Sequence, residues 1–264
     1  LISYNNYLSI YYMQKAENIN DGIFKLYNKD CLEVMSSLPD NSVDIIIADL
    51  PYGRFDHLKW DTPIDLEKMW VQIWRICKPN APVFLFGDMR FSVELINSQY
   101  KYFRYEIVWN KMISTSPLLA RKRFGKATEY INVFYKHSPV YNYKDFHKVV
   151  SQREAGSGQS GVVGVRRKKR RVKYNTYEPR LPLNIINEKY IYGKKKAIIG
   201  ITEKPVNVMA KLLNYYSNIG DVCLDMTMGS GSTGVSCAMT NRRFIGVELN
   251  PNHYKIAKER IEKA

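Results

Sequence analysis

The sequence predicts a doubly wound α/β sheet, and three observations predict it. Short β-branched runs alternate with amphipathic stretches, a glycine-rich turn lies between one such run and the next helix, and a second run ends directly in a carboxylate and a proline turn. The 264 residues suffice for one large domain, or one domain carrying an insertion. With 45% apolar residues the composition is globular, and no apolar run approaches the ~18 residues of a membrane span. The opening residues are rich in Tyr and Asn and lack the apolar stretch of a secretory signal, and Met13 is a candidate for the natural start.

In chain order, Asp30 caps a short helix carrying Leu32, Met35 and Leu38, and Pro39-Asp40-Asn41 turns the chain. Residues 43–48 are a β-branched run with the look of a strand covered on both faces. Leu66, Met69, Trp70, Ile73, Trp74 and Cys77 recur at helical spacing until Lys78-Pro79-Asn80 stops them. Residues 82–87, 104–111 and 129–136 read as further strands. Val208, Met209, Leu212, Leu213 and Tyr216 form the next helical stripe. A strand at 221–225, a helix at 232–241, a strand at 244–248 and a helix at 251–263 complete the alternation. Cys31, Cys77, Cys223 and Cys237 are scattered in apolar settings without a Cys-x-x-Cys pair, the pattern of reduced intracellular thiols. His57, His137, His147 and His253 show no metal-ligand spacing, so no metal site is expected.

The formal charge of +15 is unevenly spread. Residues 144–196 hold 15 Lys and Arg against 4 Asp and Glu, supplying +11 of that excess. At its centre a Gly/Ser run precedes Arg166, Arg167, Lys168, Lys169, Arg170 and Arg171, which reads as a mobile cationic loop. Tyr174, Tyr177, Tyr190 and Tyr192 are interleaved with the later basic residues, a mixture suited to a polyanion whose bases stack on aromatic rings. A solvated linker is the competing reading of that block.

Gly229-Ser230-Gly231-Ser232-Thr233-Gly234 is a G-x-G-x-x-G turn, and Glu248 follows Gly229 by nineteen residues at the end of the next strand. Glycines there let the backbone approach a ligand closely, and a carboxylate at that distance can accept ribose hydroxyls. Val235 stands where a phosphate-binding Walker loop needs Lys. Only 16 residues of this sequence follow Glu248, so the earlier segments are expected to complete the sheet, and one adenosyl group suits the half-site better than a dinucleotide. Asp49-Leu50-Pro51-Tyr52 ends the residue 43–48 strand, the place where open α/β sheets do their chemistry.

Taken together, these motifs resemble those of the β-class amino-methyltransferases of DNA, in which the catalytic motif precedes the cofactor loop. Asp49-Leu50-Pro51-Tyr52 is similar to their Asp-Pro-Pro-Tyr, with Leu for the first Pro. Asp225-Met226-Thr227-Met228-Gly229-Ser230-Gly231 is similar to Asp-x-Phe-x-Gly-Ser-Gly, with Thr227 in place of Phe. Thr202, Lys204 and Pro205 survive from a His-Pro-Thr-Gln-Lys-Pro motif, and Asp30 resembles the acidic residue that precedes the catalytic strand. Residues 215–261 resemble solitary methylases of phages and mobile elements.

The resemblance implies a Rossmann-like S-adenosylmethionine-dependent methyltransferase sheet in permuted motif order with an inserted target-recognition region. It divides the chain into an extension (1–22), a catalytic half (23–137), a basic target-recognition insertion (138–199) and a cofactor half (200–264). It further implies methyl transfer from S-adenosyl-L-methionine to the N6 amine of adenine in double-stranded DNA, by a monomer or homodimer in a bacterial or phage-infected cytoplasm. Asp49 and the Leu50 carbonyl would accept the amine N–H groups, Pro51 would fix the turn, and Tyr52 would stack on the flipped base. Asp225, Met228, Gly229, Ser230, Gly231, Glu248 and Asp30 would hold the cofactor, with Thr202 and Lys204 nearby. Rival readings are cytosine-N4 methylation, an RNA or protein-glutamine methyltransferase, and a DNA-binding relative that has lost catalysis. Carbon-5 cytosine chemistry is excluded, since it needs a nucleophilic Cys, typically in a Pro-Cys pair, and no such pair occurs.

Overall fold

The computed structural model describes residues 17–19, 23–53, 62–119, 121–156, 171–190 and 203–264. Thr202, Arg166, Arg167, Lys168, Lys169 and Arg170 lie outside the described residues, and of Arg171 only the backbone is described. The chain forms two compact units, residues 1–140 with 184–264, and Tyr141–Leu183.

The larger unit is built on one sheet of β1 (Glu17–Ile19), β2 (Phe24–Tyr27), β3 (Ile45–Ala48), β4 (Val83–Gly87), β5 (Phe103–Asn110), β6 (Thr128–Phe134), β9 (Ile185–Asn187), β10 (Val222–Asp225) and β11 (Arg243–Val247). Its strand order is β1-β2-β11-β10-β3-β4-β6-β5-β9. The five strands from β2 to β4 run parallel, while β6 pairs antiparallel with both β4 and β5. Parallel strands need both faces covered, and the alternation along each strand supplies this. Ile46 and Ala48 of β3, with Val83 and Leu85 of β4, enter the layer that holds Met35, Trp70 and Ile73. Ile45 and Ile47, with Phe84 and Phe86, enter the opposite layer with Leu212, Leu213 and Ala257.

Three helices cover the first face: α1 (Cys31–Ser37), α2 (Leu66–Ile76) and α3 (Met89–Ser98). Each begins at an aspartate whose carboxylate accepts first-turn N–H bonds: Asp30 from Leu32 (2.8 Å), Asp65 from Lys68 (3.1 Å) and Asp88 from Phe91 (3.0 Å). In the smaller unit, α4 (Tyr143–Phe146) precedes an antiparallel ladder of β7 (Lys148–Gly156) and β8 (Arg171–Glu178). The second face of the main sheet carries α5 (Val206–Tyr216), α6 (Ser232–Met239) and α7 (Pro251–Glu262).

Two details differ from the sequence reading. Residues 185–187, assigned there to the insertion, pair with β5 from Val108↔Ile185 to Asn110↔Asn187, because Val108 and Asn110 leave an edge open to ladder bonding. The flanks of the expected cationic loop are strands, since Gly156 lies opposite Arg171 at the end of the β7–β8 ladder. All four cysteines are buried free thiols.

Arg242 joins two helix ends. Its buried guanidinium donates to the Leu213 and Ser217 carbonyls at the end of α5 (3.3 and 2.7 Å) and to the Thr240 carbonyl at the end of α6 (2.6 Å). Replacing it takes this donor from the Ser217 and Thr240 carbonyls at the helix ends, while the Leu213 carbonyl keeps the Ser217 N–H. Arg242→Met should therefore lower stability by about 2–4 kcal/mol in urea unfolding, with Arg242→Lys recovering only part of the loss because one ammonium cannot reach all three carbonyls.

Candidate functional site

The chain leaves β3 toward β4 on one side, and leaves β10 toward β11 on the other. A crevice opens at the carboxyl ends of strands where order reverses in this way. The two motifs that the sequence singles out leave those two ends. Asp49-Leu50-Pro51-Tyr52 follows β3, and the turn from Asp225 to Gly231 follows β10. Thr227 Oγ1 donates to the Asp49 carbonyl at 3.0 Å and ties one turn to the other. Leu50 is buried in the core layer with Met226, which anchors the Asp49–Tyr52 turn from below.

A cavity of about 780 Å³ lies at this junction, lined by Asp30, Asp49, Leu50, Pro51, Tyr52, Lys111, Glu129, Lys204, Asp225, Met228, Gly229, Ser230 and Glu248 among others. Binding sites for organic ligands commonly span roughly 300–1,000 Å³, so a nucleoside-sized ligand and a base can share it.

On the β10 side, the Gly229 N–H donates to Glu248 Oε2 (3.0 Å), and the Asn250 N–H donates to Oε1 (2.8 Å). Glu248 thereby shapes the glycine turn as well as facing the cavity. Gly229 has φ of +51°, and a methyl there would meet only the Thr227 carbonyl at 3.9 Å, so open space lies in front of it. Gly231 is different. A Cβ there would lie 2.9 Å from Ala257 Cβ on α7, which makes this glycine a packing residue, and it is absent from the cavity wall. Asp225 is buried, accepting from Thr233 Oγ1 (2.6 Å) and the Thr227 N–H (3.1 Å). Burial, aided by the charges of Asp49 and Glu248, pushes its carboxyl up to about 7 against those two hydrogen bonds. Asp30, exposed at the cavity edge, is occupied in capping α1.

On the β3 side, four charges gather. Lys204 Nζ contacts Asp49 Oδ2 and, at 3.0 Å, Glu129 Oε1. Lys111 Nζ holds Glu129 Oε2 at 2.7 Å and lies over the rings of Trp109 and Tyr190 at 4.9 and 5.4 Å. The Tyr52 hydroxyl bridges the two carboxylates, 3.2 Å from Asp49 Oδ1 and 3.2 Å from Glu129 Oε1, while its ring packs on Phe91 at 4.7 Å. Burial raises the Asp49 carboxyl, with Glu129 adding to the rise and Lys204 opposing it. For Glu129 the balance tips the other way: Lys204 and Lys111 overcome burial and hold it down at about 2. Lys204 itself is held protonated, because Asp49 and Glu129 outweigh its burial.

Lys204, expected near the cofactor in the sequence reading, lines the same cavity as Asp225 and Gly229, with its ammonium between Asp49 and Glu129. Glu129 and Lys111 are absent from that reading. Their signal was a carboxylate opening the otherwise apolar residue 129–136 strand and a lysine closing its neighbour, charges that a buried strand end retains only when they are paired.

A family model described as DNA methylase (N6_N4_Mtase) matches residues 43–259. The chain belongs to the DNA methylase family. Among curated relatives it is 28% identical over 247 residues to the DNA adenine methyltransferase YhdJ of Escherichia coli (strain K12), covering 89% of this chain and 81% of that protein. Two solved structures share the fold. The M1.HpyAVI–SAM complex is 23% identical with a TM-score of 0.58, covering 90% of this chain and 99% of that one. The cytosine-N4-specific PvuII DNA methyltransferase is 14% identical with a TM-score of 0.64, covering 93% and 87%. In the methylase, both motifs expected from the sequence meet in one cavity. Among the described residues no helix is long and apolar enough to cross a membrane.

The raised Asp225 carboxyl has a stability consequence. Between about pH 4, where an unfolded aspartate titrates, and about 7, the folded chain keeps a proton that the unfolded chain has released, so this group's contribution falls as pH rises through that window. Asp225→Asn removes the penalty. In thermal unfolding without ligand the variant should melt above wild type at pH 8, with the gap closing toward pH 4. A wild-type advantage at pH 8 would refute the assignment.

Proposed function

We propose that this DNA methylase transfers the methyl group of S-adenosyl-L-methionine to the exocyclic N6 amine of adenine in double-stranded DNA. The observation that carries the reading is the meeting of Asp49-Leu50-Pro51-Tyr52 with the Gly229 turn in one cavity at the β3/β10 reversal. Asp49 as the first residue of its motif, and the likeness to a named adenine enzyme, favour adenine over the cytosine-N4 amine.

The residues present fit the cofactor. Space in front of Gly229 admits a ligand against bare backbone, Asp225 is a carboxylate whose ionisation a ligand cation would restore, and Glu248 keeps lone pairs for ribose hydroxyls. Asp225, Met228, Gly229, Ser230, Glu248 and Asp30 would hold it. When bound, S-adenosyl-L-methionine supplies a methyl group on a sulfonium already activated for transfer.

The chain's own task is the amine, a poor nucleophile while its lone pair is delocalised into the ring. Asp49 accepts one N–H and the Leu50 carbonyl the other, which favours a tetrahedral nitrogen and localises the pair. Because a carbonyl does the second job, Leu serves at position 50. Pro51 stiffens the turn. Tyr52 stacks on the flipped base and orients Asp49 through its hydroxyl. Lys204 opposes the rise that burial imposes on the Asp49 carboxyl, and Glu129, anchored by Lys111, draws the ammonium back when the amine takes its place. By the same resemblance Thr202 would serve the cofactor, and Arg166, Arg167, Lys168, Lys169, Arg170 and Arg171 would contact DNA phosphates.

Two variants separate binding from turnover. Gly229→Val should abolish cofactor binding in calorimetry, whereas Asp49→Ala should bind normally and lose about 100–1,000-fold in single-turnover methylation, read as N6-methyladenine by nucleoside mass spectrometry. Recovery of N4-methylcytosine instead would establish the cytosine reading. The charge cluster makes a further pair of expectations with opposite signs. Lys204→Met removes the cation that lowers Asp49, so the acid limb of the pH–rate profile should move to higher pH. Glu129→Gln removes the anion that raises Asp49, so the limb should move to lower pH.

A further inference from the structure

The cavity explains how a base is held once it has left the helix, but nothing in it explains what takes the base's place. The loop of residues 111–127, between β5 and β6, supplies the missing part. Its neck is closed by the Lys111 N–H donating to the Ala127 carbonyl (2.7 Å), the Thr115 N–H and hydroxyl donating to the Lys126 carbonyl (2.8 and 3.0 Å), and the Lys126 N–H donating to Ser116 Oγ (3.1 Å). Thr115 and Lys126 line the cavity, so the loop rises from its mouth. Beyond the neck, a short 3-10 turn at Pro117–Leu119 is continued by Lys122 and Arg123 N–H bonds to the Leu119 carbonyl (2.9 and 3.0 Å). The loop is therefore an internally bonded projection.

What it projects is unusual. Leu118 is 94% exposed and Phe124 102%, the two most exposed large apolar side chains among the described residues. They flank Arg121, Lys122 and Arg123, all exposed, and the sequence between Met112 and Ala127 contains four Lys or Arg and no acid. A ring held in water is unfavourable unless something covers it. A second copy of this +15 chain is a poor cover, because it would bring another cationic surface against a cationic loop. A polyanion with an apolar interior fits both properties: phosphates for the guanidinium and ammonium groups, stacked bases for the ring.

We infer that Phe124, with Leu118 beside it in the same loop, is a wedge that enters the base stack and fills the gap left by the flipped adenine, while Arg121, Lys122 and Arg123 grip the adjoining phosphates. The inference rests on the methylase reading above. An amine inside a duplex cannot reach a carboxylate set within a cavity, so the base must come out, and an apolar side chain in the gap offsets the lost stacking.

The test uses a duplex containing the sequence in which modified bases are mapped, prepared fully paired and with an abasic nucleotide opposite the target adenine. Phe124→Ala should slow single-turnover methylation of the paired duplex by about tenfold or more, recover most of the rate on the abasic duplex, and leave cofactor affinity and melting temperature unchanged. The triple variant Arg121→Gln, Lys122→Gln, Arg123→Gln should weaken both duplexes alike and flatten the dependence of binding on salt. Wild-type rates for Phe124→Ala on both duplexes, or equal losses on both, would overturn the wedge. So would a change in the sedimentation of the free protein, which would make the ring a self-association contact. If wild type itself methylates neither duplex, the methylase reading fails and the wedge with it; an active wild type matched by Phe124→Ala removes the wedge alone.

Discussion

The site depends on a single short strand pair. Only Cys223↔Ile45 and Leu224↔Ile46 register β10 against β3, yet this pairing brings two turns far apart in sequence into one crevice. It is stapled at both ends. At the start, the Val222 N–H donates to the Asp44 carboxylate at 3.0 Å and the Asp44 N–H returns the bond to the Val222 carbonyl. At the finish, Thr227 binds the Asp49 carbonyl. The staple at the finish uses the hydroxyl of the residue that departs from the Phe of the similar family motif, so the departure gains a bond between the Asp49–Tyr52 turn and the glycine turn.

The second organising feature is charge neutrality inside the crevice. Two carboxylates and two ammonium groups meet behind Tyr52, each pair within contact distance. Isolated, any one of them would be costly to bury. As a set they cancel, and of the two carboxylates Asp49 has the fewer cations: Glu129 meets both Lys111 and Lys204, whereas Asp49 has Lys204 and the Tyr52 hydroxyl. Asp49 stands at one end of this chain of contacts and Glu129 in its middle.

Most of the parallel core was legible because its signals are local. A β-branched run marked β3, short apolar runs bounded by turns marked β4 and β10, and stripes at helical spacing marked α2 and α5. The pieces not seen lack such signals. β2 is four residues long and exposes Lys25, so Phe24 and Leu26 alone carry its pattern. α3 opens directly after Gly87 with only Asp88 to announce it. β9 is a strand only because β5 offers an edge. At the site, the turns were legible as motifs, while Glu129 and Lys111 were not, since their meaning lies in a pairing across three separate segments that no spacing encodes. The raised Asp225 carboxyl is a product of burial and equally invisible in one dimension.

The strand order carries a consequence for how the molecule is made. β11 and β10 belong between β2 and β3, but in the sequence they come after β9. A nascent chain that has reached β9 has two unsatisfied parallel edges, those of β2 and β3, facing a slot still to be filled. Contacts of this separation close slowly, and open strand edges invite pairing with the wrong chain. Until β10 and β11 are in place, the facing edges of β2 and β3 are open to pairing with another chain.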